Sequence, residues 1–137
     1  MTKLPEIGRV APAFTLKTGN GETVSLKDYR GKTVVLYFYP ADMTPTCTEQ
    51  SCQFRDYNGR FEQYGAVVLG ISPDDEKSHQ KFASKYELPF TLLSDPNRKV
   101  AEKYGVWQLK KLYGREYMGI VRSTFLINGK GKLVREW

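Results

Sequence analysis

The sequence predicts an α/β fold, a central mixed β-sheet flanked by helices. Three observations predict it. The β-branched and aromatic runs at 33–39 and 66–72 read as buried strands. Segments of helical periodicity alternate with the strands. The region 122–134 reads as a strand, a tight Asn128-Gly129 turn and an antiparallel return.

The elements follow in order. Ala13 to Lys17 and Glu22 to Ser25 flank an Asn-Gly turn, so an N-terminal β-hairpin is expected. Residues 26–29 suit a short helical turn that Gly31 stops. The strand at 33–39 is central and Pro40 ends it. Thr44-Pro45-Thr46 opens a helix, with either threonine as cap and Pro45 suited to the first turn. That helix runs to Tyr57 or Tyr64, with Phe54, Tyr57 and Phe61 spaced for one face and a possible break at Gly59. After the strand at 66–72, residues 73–86 read as a helix with Phe82 and Tyr86 on one side. Residues 90–93 form a short strand. Asp95 is the cap for a helix over 97–104, which Gly105 ends.

At 137 residues the chain is expected to form one domain, spanning 1–137, whose core needs no staples. It is 40 % apolar and 26 % charged, a soluble composition, and holds only two cysteines, which argues against a secreted disulfide scaffold. The start shows no apolar leader, and no stretch approaches the roughly 20 apolar residues of a membrane span. A cytoplasmic, reducing location is therefore expected. The net charge of +6 includes a cluster at Lys110, Lys111, Arg115 and Arg122, read as a solvated surface. His79 and Asp42 are also read as solvated.

Both cysteines lie just past the strand at 33–39, where an α/β protein places reactive groups. A helix N-terminus also favours a thiolate. This suggests Cys47 as a nucleophile and Cys52 as its redox partner. On one regular helix, however, Cα atoms five residues apart stand roughly 8–9 Å apart. A disulfide wants about 4.4–6.8 Å. If the two bond, the first turns must unwind. Spacing alone leaves inert buried thiols as an open reading. Two thiols and one distant histidine do not make a zinc site, and the spacing is not Cys-x-x-Cys.

Pro40-x-x-x-Thr44-x-x-Cys47 matches the active-site motif of the peroxiredoxins, thiol peroxidases with a thioredoxin-like fold. Cys52, followed by Phe54-Arg55-Asp56, resembles the Q-type, or bacterioferritin-comigratory-protein-like, subfamily. The likeness extends over nearly the whole chain. It takes in Gly8-x-x-Ala11-Pro12-x-Phe14, Gly70-Ile71-Ser72, Leu93-Ser94-Asp95 and Arg122-x-Thr124-Phe125.

The resemblance implies a set of roles. Cys47 is the peroxidatic thiolate, oxidised to a sulfenic acid. Thr44 hydrogen-bonds the thiolate or the peroxide, and Pro40 shields the site. Arg122 reaches in from a neighbouring strand to favour the thiolate and steady the peroxide oxygens. Backbone N–H groups of Thr46 and Cys47 add to the anion site. Cys52 resolves the sulfenic acid as an intramolecular disulfide, which thioredoxin or a similar dithiol reduces. No metal, haem or flavin cofactor is implied.

Three departures from the family pattern stand out. Thr46 occupies a position usually held by glycine, and Gln50 one where many relatives carry glutamate. The family's usual C-terminal helix has no counterpart after Trp137. A monomer is expected and a dimer is allowed.

Two alternatives compete with the peroxidase that reduces hydrogen peroxide or organic hydroperoxides. One is a thioredoxin-like disulfide oxidoreductase. The other is a basic nucleic-acid-binding module with inert cysteines.

Overall fold

Residues 6–136 are described by a computed structural model. Residues 1–5 and Trp137, on which the expectations about the leader and the chain end fall, lie outside the described residues.

The expected hairpin is present as β1 (Thr15–Thr18) and β2 (Thr23–Ser25), with Gly21 in the left-handed region at φ 82°. A 3₁₀ turn, Leu26–Tyr29, follows; the Asp28 carboxylate accepts from the Ser25 N–H at 2.9 Å. β3 (Thr33–Phe38) and β4 (Ala66–Ser72) pair in parallel, joined by α1 (Pro45–Gln63). α2 (Glu76–Lys85) leads to β5 (Thr91–Ser94), again parallel to β4. α3 (Lys99–Lys103) precedes β6 (Trp107–Leu112) and β7 (Arg115–Ile120). β8 (Ser123–Ile127) and β9 (Leu133–Glu136) complete the order. The main sheet runs β2-β1-β5-β4-β3-β8-β9, with β8 antiparallel to β3. This is the predicted mixed sheet.

Alternation along β3 divides the core. Val34, Leu36 and Phe38 join Leu69, Tyr104 and Phe125 on one face. Val35, Tyr37 and Tyr39 join Val68, Phe82, Leu92 and Cys47 on the other, which α1 and α2 cover. The aromatic stack beneath α1 is tight: Tyr37 lies 5.3 Å from Tyr39 and 4.7 Å from Phe54, centroid to centroid. A Cβ on Gly70 would come within 2.7 Å of Tyr37 Cζ, so the ring needs glycine beneath it.

Four local expectations change. α1 runs through Gly59 without a break. Tyr57 is exposed, while Phe54 and Phe61 pack together at 6.3 Å. Tyr57 stands about 60° around the helix from Phe54, but Phe61 only about 20°. α2 begins later than Pro73 because Asp75 is its cap, accepting from the Ser78 N–H at 2.8 Å. α3 is shorter than 97–104 because Arg98 takes a left-handed φ of 59°. Asp95 still serves that helix, accepting from Val100 and Ala101 N–H at 3.3 and 3.0 Å.

The β6–β7 ribbon is an element the sequence reading missed. Its two-residue turn, Tyr113-Gly114, takes φ values of 51° and 76°, a left-handed pair usually announced by Asn-Gly. Here a tyrosine stands in the first place and hides the signal.

Candidate active site

The chain topology brings the chosen residues together. β3 delivers the chain to the loop 40–44, and α1 starts directly after it. Because β8 is antiparallel to β3, with Ser123 opposite Phe38, its first residues lie beside the end of β3. Arg122, one residue before β8, therefore reaches a site that is distant in sequence.

Cys47 sits in the first turn of α1 and is 0 % exposed. Arg122 Nη1 donates to its Sγ at 3.0 Å. The same Nη1 donates to Gln50 Oε1 at 3.3 Å. Gln50, one turn on from Cys47, thus steers the guanidinium; the sequence reading attached no role to it. A neutral amide here does not neutralise the arginine, whose charge is turned to the sulfur.

Thr44 is the N-cap of α1, with extended backbone, and Pro45 fills the first helical position. The Thr44 carbonyl accepts from the Thr48 N–H at 2.8 Å. Its hydroxyl does not cap the helix; it donates to the Ala41 carbonyl at 3.1 Å. The oxygen lone pairs remain for an outside donor. N–H groups in a first turn have no acceptor within the helix, so those of Thr46 and Cys47 add positive potential near the sulfur. Thr46 is helical and exposed, and its φ is not in the left-handed region, so the position does not require the usual glycine. Pro40 is half-buried at the loop's entry.

Cys52 lies on the same unbroken helix, half-buried, and both thiols are free. Next to it Ser51 is fully buried, and its hydroxyl pairs with the Tyr37 hydroxyl at 2.9 Å. Burial raises the Tyr37 pKa above its ordinary value of 10.0. This hydrogen bond, with that from Arg122 to Gln50, ties the middle of the Cys47–Cys52 turn to the sheet.

Lys110 belongs to the site's electrostatics and not to a fully solvated cluster. It is half-buried on β6, and its pKa is pushed down by burial and by Arg122 while Cys47 opposes the shift. Lys111 pairs with Glu116 at 3.5 Å across the ribbon.

Two further readings are corrected. His79 is 1 % exposed and Asp42 8 % exposed; neither is a solvated surface residue. Polar neighbours at 78 and 80 suggested an outward face. Yet His79 lies three residues before Phe82, so both point at the sheet. A lone buried histidine gives no signal in composition or spacing.

Comparison with known proteins adds independent findings. The model of the AhpC/TSA family matches residues 7–136. Peroxiredoxin Bcp of Bacillus subtilis is 55 % identical over 132 residues, 96 % of this chain and 84 % of that protein. The chloroplastic peroxiredoxin Q of Triticum aestivum is 59 % identical over 124 residues, 90 % of this chain and 55 % of that one. Among solved structures, a peroxiredoxin Q from Xanthomonas campestris superposes with a TM-score of 0.88 at 34 % identity, covering 99 % of this chain and 86 % of the other. The bacterioferritin comigratory protein of the same organism, described for alkyl peroxide reduction, gives 0.88 at 33 % identity, covering 100 % and 87 %.

Proposed function

From the premise that this chain belongs to the AhpC/TSA family and is a thiol-dependent peroxidase, we propose that Cys47 is the peroxidatic residue and Cys52 the resolving one. The observation that carries the assignment is the Arg122 guanidinium, 3.0 Å from the sulfur of a fully buried cysteine at a helix N-terminus.

The Cys47 thiolate attacks one peroxide oxygen in line. The S–O bond forms as the O–O bond breaks, and the departing oxygen leaves as water or an alcohol after taking a proton. Arg122 and the first-turn N–H groups steady the negative charge on the oxygens. The Thr44 hydroxyl oxygen accepts the peroxide O–H and aims it. Pro40 keeps bulk water away from the sulfur.

Cys47 is then a sulfenic acid. The Cys52 thiolate attacks its sulfur, water leaves, and an intramolecular disulfide forms. The helix that holds both residues must open for this, so the described arrangement is the reduced, substrate-ready state. An external dithiol, thioredoxin or a similar protein, takes up the oxidising equivalents and restores both thiols. Alkyl hydroperoxides join hydrogen peroxide as substrates, as the Xanthomonas campestris relative supports.

The chain is read as one domain over 1–137, acting as a monomer in the cytoplasm. Among the described residues no helix is long and apolar enough to cross a membrane. Neither the disulfide oxidoreductase nor the nucleic-acid reading gains support from the site.

The test is peroxide consumption driven by a thioredoxin system, with hydrogen peroxide and an alkyl hydroperoxide in turn. Replacing Cys47 by serine should abolish turnover. Replacing Cys52 should stop thioredoxin-driven turnover but leave one peroxide reduced per chain. Full turnover by the Cys47→Ser protein would defeat the assignment.

A further inference from the structure

The loop 40–44 is held by a second buried polar cluster that takes no part in the chemistry just described. His79 Nδ1 lies 2.8 Å from Asp42 Oδ2, and Nε2 lies 2.9 Å from the Leu93 carbonyl oxygen. Both neighbours are acceptors. A neutral imidazole has one N–H and can satisfy only one of them; an imidazolium satisfies both.

Asp42 is equally committed. The Tyr39 hydroxyl donates to its Oδ1 at 2.5 Å and the Ser78 hydroxyl to its Oδ2 at 2.8 Å. Its own N–H donates to Asp74 Oδ2 at 2.7 Å. Among the described residues, the titratable groups facing the ring are Asp42 and Asp74 from the flanking loops and the Tyr39 hydroxyl past the end of β3. β5 presents a neutral carbonyl, and α2 contributes the Ser78 hydroxyl through Asp42.

The pair has a mechanical consequence. It pins Asp42 to α2 and β5, two residues before the N-cap of α1. Between them Met43 takes a left-handed φ of 65°, which a non-glycine residue holds only when its surroundings fix it. The direction in which Thr44 and the first turn of α1 leave the loop is therefore set by Asp42.

We propose that His79 and Asp42 form a buried imidazolium–carboxylate pair and act as positioning residues, fixing the loop 40–44 so that Thr44 and Cys47 meet the peroxide in line. The proposal rests on Cys47 being the peroxidatic residue. Neither residue touches the sulfur; both act through the loop.

The test uses the full chain carrying Cys52→Ser, so that only the first step is read. The rate constant of Cys47 oxidation by hydrogen peroxide is compared with that of its alkylation by iodoacetamide, which needs no in-line peroxide geometry. Asp42→Asn and His79→Gln should each slow the peroxide step at least tenfold while alkylation changes less than threefold or speeds up. Equal changes in both rates, or no change in either, would reduce the pair to a structural role and overturn the proposal.

A second measurement needs no variant at 42 or 79. His79 is the only histidine in the chain, so its ring ¹⁵N signals need no assignment. Two ring N–H groups are expected in the reduced protein at neutral pH, and a single one would overturn the charged pair. Slow peroxide reaction in the Cys52→Ser protein itself would defeat the Cys47 assignment, and with it the positioning role, whatever the ring signals show.

Discussion

Replacing Ser51 by alanine should make the Cys47–Cys52 disulfide form more readily. The two cysteines share α1, where an intact helix holds their Cα atoms roughly 8–9 Å apart. Bonding distance is about 4.4–6.8 Å, so the helix must open. One contact that resists opening at that turn is the Tyr37–Ser51 hydrogen bond, 2.9 Å long and fully buried at both ends. In Ser51→Ala the Tyr37 hydroxyl is left without a partner in the closed state but meets water in the open one. A buried hydroxyl left unsatisfied costs about 1–3 kcal/mol, so the open fraction should rise roughly 5- to 150-fold. Tyr37→Phe should do less, because the Ser51 hydroxyl can turn to a carbonyl of its own helix. The assay is hydrogen exchange across α1, together with the peroxide concentration at which sulfinic acid on Cys47 halves activity. Faster exchange and a higher tolerated peroxide concentration are expected, since resolution competes with a second oxidation. Unchanged exchange at residues 47–52 with unchanged tolerance would refute the reasoning.

Arg122→Met should lower the rate constant for peroxide reduction about 100- to 1,000-fold, the usual loss when one donor to a developing anion is removed; stopped-flow mixing with hydrogen peroxide checks it, and a loss under threefold would contradict it. Gly70→Ala should destabilise the fold by about 1–3 kcal/mol, because the new methyl meets Tyr37 Cζ at 2.7 Å; urea unfolding measures it. Burial raises the pKa values of Tyr37, Tyr39 and Tyr104 above the ordinary 10.0, so the unfolded chain releases those protons first. Their contribution to stability is complete below pH 10.0 and is lost as pH rises beyond it, and urea midpoints across that range should fall, less steeply in Tyr104→Phe.

Much of this was legible in the sequence, for identifiable reasons. The runs at 33–39 and 66–72 are buried on both faces, and such strands announce themselves by composition. Asn20-Gly21 and Asn128-Gly129 marked turns by the left-handed or tight geometry they favour. Cys47, Thr44 and Pro40 share one short motif, and Arg122 was found through a second motif on the strand that folds back beside it. What remained hidden depends on distant contacts. Nothing local in Ser78-His79-Gln80 says that a carboxylate 37 residues upstream waits at the sheet. Gln50 is one turn from Cys47, but its role exists only once Arg122 arrives. The β6–β7 ribbon was masked because Lys110 and Lys111 read as surface charge, while the ribbon tucks Lys110 towards Arg122 and the sulfur.

The most direct test of the central claim is a titration of the reduced protein with hydrogen peroxide, following each cysteine by intact mass and peptide mapping, with Cys52→Ser run alongside. One equivalent of peroxide should give a Cys47–Cys52 disulfide in the wild type and a sulfenic acid confined to Cys47 in the variant, which a second equivalent carries to the sulfinic acid. Slow oxidation shared equally between the two thiols would contradict the account.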